Sequence, residues 1–234
     1  MVMFWRALVW KGWMECRYRA VLTGLVVLLY LLVGLFPLAD YKGAVIAWDW
    51  YAKYVTVFGA VVAVMFAGSG INAQSSWGLV RGFHPSMYFL LSLPISRRQA
   101  LMARAATGIL LAFFSVLASV VLYALPMHVS AEQAGSSIFF ISLGAFAMFG
   151  IATFLSTLFD EMVTSSLAIG AVAGMFGAWA ALDWTKVKPD PMTIISGQQL
   201  AQTGHVNWVA VMFLLATGVV FLLAALWVVE RKEY

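Results

Sequence analysis

Residues able to do chemistry are sparse in this sequence, and their spacing opposes a catalytic centre. The three histidines, His84, His128 and His205, all fall between apolar runs, and no two have the spacing that sets metal ligands on one helix face. No metal site is therefore expected. The single cysteine, Cys16, excludes an internal disulfide and a cysteine-rich metal site, and reads as a small buried or interfacial apolar residue. Ala67-Gly68-Ser69-Gly70 sets a serine between glycines, yet no histidine lies in a later apolar run to act as its base. Small residues at a helix–helix contact explain that patch better. None of the six lysines follows a glycine, so no phosphate-cradling G-x-x-x-x-G-K-[ST] loop exists. Catalytic residues and cofactors are expected to be absent from this chain.

The rest of the sequence is the material that would have to position anything functional. Of 234 residues, 63% are hydrophobic and 10% charged, too little charge to cover a soluble domain. Lipid is the expected solvent, and in lipid every backbone N–H and C=O needs an internal partner, which leaves helices or closed barrels. A barrel would show ten-residue stretches of alternating polarity. Unbroken apolar runs near twenty residues long point to helices instead. Six such runs meet the spanning length, at about 20–38, 54–71, 105–125, 138–159, 162–182 and 208–229. The first is too long for a signal-peptide core and reads as an uncleaved span. Asp160 and Glu161, too costly for a bilayer centre, mark a tight turn between the fourth and fifth runs.

The net charge of +4 raises nucleic acid as a partner, but the distribution of the basic residues argues for a membrane. Ten Lys and Arg fall before the first span, between spans two and three, and after the last; four fall on the other side. The positive-inside bias then puts both termini in the cytoplasm. The segment 3–18 reads as an interfacial helix, with Trp5, Val9, Gly12, Trp13 and Cys16 on one stripe and Lys11, Glu15 and Arg19 on another. The connection 183–207 is too short for a domain, and its middle, 192–201, is expected to hold a short helix dipping into the outer leaflet. Gly170, Gly174 and Gly177 have the spacing of a close helix–helix contact, either inside the chain or between subunits. The span interiors hold no clear ionisable residue, so neither proton nor voltage coupling is expected.

The connection between spans two and three is the most informative stretch. Pro85 and Ser86 start a helix of about eight residues and Pro94 stops it. Ser96 and Gln99 then form an S-x-x-Q capping box for the next helix. Arg97 and Arg98 fall in that helix's first turn, where cations oppose the helix dipole. Anionic headgroups or an acidic partner must favour them.

The run Leu90-Leu91-Ser92-Leu93-Pro94-Ile95-Ser96-Arg97-Arg98, followed by a Leu- and Ala-rich span opening with Arg104, resembles the type-2 permease family of ABC transporters. The six spans, the interfacial N-terminal helix and the longer last outer loop extend that resemblance over nearly the whole chain. One difference is that 72–104 holds no acidic residue, where family members often carry a Glu. The resemblance implies an all-α membrane protein with a short cytoplasmic coupling helix that docks in a groove of a separate ATPase subunit. Met87, Tyr88, Phe89, Leu90, Leu91, Ser92 and Leu93 would form that helix, with Arg97 and Arg98 at its exit. It further implies a second permease, identical or paralogous, with ATP and magnesium held by the ATPase. The expected function is the permease subunit of an exporter in the bacterial plasma membrane, not itself an enzyme. The alternative is a non-transport membrane protein, either an intramembrane enzyme or a scaffold subunit.

Overall fold

The computed structural model describes residues 2–35, 44–67, 96–159, 161–181 and 190–231. All regular structure among them is helical: α1 Val2–Leu35, α2 Ala44–Ala67, α3 Arg97–Ala124, α4 Ala131–Leu158, α5 Glu161–Ala181, α6 Pro191–Ile195, α7 Gln198–Thr203 and α8 Trp208–Arg231. Four are long and apolar enough to cross a membrane: the Trp48–Ala67 part of α2, then α3, α4 and α8. The chain is thus an all-α integral membrane protein. Of the first and fifth expected spans, 20–35 lie in α1 and 162–181 in α5, and 36–38 and 182 lie outside the described residues.

Helix ends follow local chemistry. Ser96 caps α3 by accepting from Gln99 N at 3.2 Å, while Ser96 N donates to Gln99 Oε1 at 3.0 Å. This is the expected capping box, which satisfies two backbone donors that would otherwise be orphaned. Ser130 caps α4 by a single bond, its hydroxyl accepting from Gln133 N at 3.3 Å. α4 stops at Leu158 and α5 starts at Glu161, where the adjacent carboxylates were expected to turn the chain. Asp190 caps α6 through Met192 N, and Pro191 follows at the first helical position, where its missing N–H costs nothing.

α1 differs from expectation. It runs 34 residues with no break between the expected interfacial helix (3–18) and the expected span (20–38). Gly12, Cys16 and Thr23 form its buried face, whereas Val9 and Trp13 of the expected apolar stripe stay exposed. Fit to α3 selects that face. A Cβ on Gly12 would lie 2.9 Å from Thr107 Oγ1, so the helices meet at the smallest residue and not at the largest.

α4 is the hub, packed by α8, α2, α3, α5, α6 and α7, while α1 lies against α3 and α2. Lipid tails are as apolar as side chains, so shape fit and interhelical hydrogen bonds, rather than expulsion of water, hold such helices together. The tightest fit joins α4 to α8. A Cβ on Gly150 would lie 2.5 Å from Gly218 O. Gly108 does the same for α3, facing Phe149 of α4 and the Phe66 carbonyl of α2. The core of α2, α3 and α4 is filled by Val55, Val62, Val116, Val120, Ile141 and Phe149.

Candidate functional site

Arg98 and Glu230 lie at one end of the bundle, where α3 begins and α8 finishes; this is its basic end. The capping box fixes Arg97 and Arg98 side by side in the first turn of α3. Arg98 Nε donates to Glu230 Oε1 at 2.7 Å, across to the last turn of α8. The acidic partner that the first turn of α3 calls for thus comes, for Arg98, from the same chain. One turn into the bundle, Leu101 is buried against Ala225 and Val229, with Phe154 and Leu226 closing the contact. Phe154 of α4 also meets Phe221 of α8, ring centroids 5.6 Å apart. Arg231 turns away from Glu230 to lie 4.1 Å over the Trp227 ring, a cation–π contact suited to a membrane boundary. Arg19 of α1 donates to the Met65 carbonyl of α2 at 2.7 Å.

The expected docking helix, Met87, Tyr88, Phe89, Leu90, Leu91, Ser92 and Leu93, lies outside the described residues. Arg97 and Arg98 open α3, and Arg98 pairs with Glu230. Gly170, Gly174 and Gly177 meet no close neighbour among the described residues. All three are exposed on α5, and a Cβ on each would meet nothing within 4 Å among the described residues. Close approaches among the described residues fall on Gly150 and Gly218. No spacing motif flags them.

The opposite end carries a polar cluster that sequence reasoning missed in most of its parts. Lys53 of α2 reaches Asp190 at the head of α6, 3.6 Å away. Gln198 of α7 donates through Nε2 to the Asp49 carbonyl of α2 at 2.7 Å. Between α6 and α7 the chain reverses at Gly197, with φ +76° and no room for a side chain: a Cβ would lie 2.5 Å from Ser136 O. Deeper in the bundle, Ile195 fills the space beside Gly144. The expected short helix at 192–201 is therefore two short helices strapped onto α2 and α4. Nearby, Tyr51 donates to Ser119 O at 2.6 Å and stacks on Tyr123 at 3.5 Å, with Trp48 alongside. The available signal was Asp190-Pro191, which marks a helix start but not what that helix packs on.

Among the described residues no three His, Cys, Asp or Glu converge to hold a metal. What the basic end offers is mechanical: a rigidly capped helix start, ion-paired and packed against the end of another helix. Comparison with family models, with curated proteins and with solved structures finds no match for this chain.

Proposed function

We propose that the chain is the membrane-spanning permease subunit of an ABC exporter, powered by ATP hydrolysed in a separate ATPase subunit that holds the nucleotide and magnesium. In this reading α1 and α5 join the four long apolar helices to make six spans. Both termini and the basic end face the cytoplasm of a bacterial cell, and a second permease, identical or paralogous, completes the pathway. The observation that carries it is the run Leu90-Leu91-Ser92-Leu93-Pro94-Ile95-Ser96-Arg97-Arg98, which resembles the type-2 permease coupling segment and leads directly into the Ser96–Gln99 capping box. A rigid helix start lets a push on the preceding segment enter the bundle without being lost to fraying. The scarcity of charge within the apolar runs supports an energy source outside the chain.

Purification of the intact complex from its native membrane tests the reading. A P-loop ATPase is expected to accompany the chain, and the chain alone is expected to hydrolyse no ATP. Leu91→Asp, which puts a charge into the docking segment, lowers ATPase recovery about tenfold or more, the usual loss for one buried interface anchor. ATP hydrolysis by the isolated chain, or a chain that never recruits an ATPase, refutes the proposal.

A further inference from the structure

We infer that Arg98 and Glu230 clamp the entry of α3 to the exit of α8, so that the two helix ends move as one body. Three observations converge on it. The ion pair is short, 2.7 Å, and bridges the first turn of one helix and the last turn of another. Directly beneath it, Leu101, Ala225 and Val229 form a buried apolar contact between the same two helices. The cation next to Glu230, Arg231, is turned onto Trp227 and leaves the carboxylate facing Arg98.

The side chains of the pair are 59% and 41% exposed, so it adds little to stability. Its effect is orientational. Leu101 and the alanine and valine it touches set how close α3 and α8 come, but small apolar surfaces slide easily. A charged pair at the rim, with one partner on each helix, fixes their rotation and register. It also gives Arg98 a counter-charge where the dipole of α3 opposes a cation. Arg98 thus works inside the chain, as a positioning residue acting on α8. In the transporter reading, on which the inference rests only for the source of the push, a displacement of the segment before α3 is delivered to α8 together with α3.

Spin-label distances in liposomes of the full chain test the clamp without any partner. Labels go on Met102→Cys and Leu223→Cys, both lipid-exposed, in a Cys16→Ser background. The starting chain is expected to give one narrow distance peak. Arg98→Glu and Glu230→Arg each lose it, Arg98→Lys keeps it, and the swap carrying both reversals regains it. A peak that survives both single reversals, or that the swap does not regain, overturns the clamp. In the native complex, coupled ATP hydrolysis falls about tenfold in either reversal and returns in the swap, the signature of a direct pair in a double-mutant cycle. A swap that regains the peak but not hydrolysis upholds the clamp and places Arg98 against the ATPase as well. If no ATPase accompanies the unaltered chain, the transporter reading fails, and the distance peaks still decide the clamp.

Discussion

The two ends of the bundle are held by different physics. At the end bearing Trp48 and Tyr123, contacts are buried and directional. A tyrosine stacks on a tyrosine and bonds to a backbone carbonyl, a glutamine side chain bonds to another, and a largely shielded ion pair pins the strap. At the basic end the ion pair is more than a third exposed, Arg17 of α1 and Arg231 of α8 lie over the rings of Tyr18 and Trp227, and the apolar contact beneath the pair is small. Shielded polar contacts are strong because nothing competes for them, whereas an exposed pair adds little stability and acts on orientation. One end is built to stay closed and the other to be moved.

Substitutions can break that contrast or sharpen it. Tyr51→Ala removes the stacked ring from a site 6% exposed and is expected to cost about 3–5 kcal/mol, as large core truncations do. Thermal unfolding in detergent measures it, and a loss under about 1 kcal/mol would erase the rigid end. Asp190→Ala removes both the α6 cap and the partner of Lys53, for about 1–2 kcal/mol in that strap. Faster proteolysis around 190–204 with unchanged global unfolding is the expected readout. Arg98→Ala is expected to cost under about 1 kcal/mol of global stability, since its pair is exposed. A cost as large as that of Tyr51→Ala would make the basic end a structural lock instead. Gly174→Leu points into open space on α5 and is expected to shift stability by about 0.5 kcal/mol or less. Cross-linking of the native membrane then shows whether it weakens association with a second copy.

Sequence-local features were legible. The Ser96–Gln99 box, the end of one helix at Leu158 with the next starting at Glu161, and a helical segment within 192–201 lie close to where the residues place them, because a cap acts within about four residues of itself. The division of α1 was not legible. Its charged and aromatic first half suggested a separate helix, but no residue there breaks one, and packing on Thr107 carries the helix through. Close helix contact among the described residues is made by Gly150 and Gly218, which lie 68 positions apart.

Run length and polarity by themselves determined that this chain is helical and membrane-embedded, since lipid forbids unsatisfied backbone and a run either is or is not long enough to cross it. The Ser96–Gln99 capping residues also set where α3 begins. Tertiary structure alone decided which faces meet: Gly150 against Gly218, Arg98 against Glu230, Lys53 against Asp190. In a chain where most residues are apolar, hydrophobicity no longer distinguishes an inward face from an outward one. The choice falls to shape and to a few polar partners far apart in sequence, and only the assembled bundle brings those together.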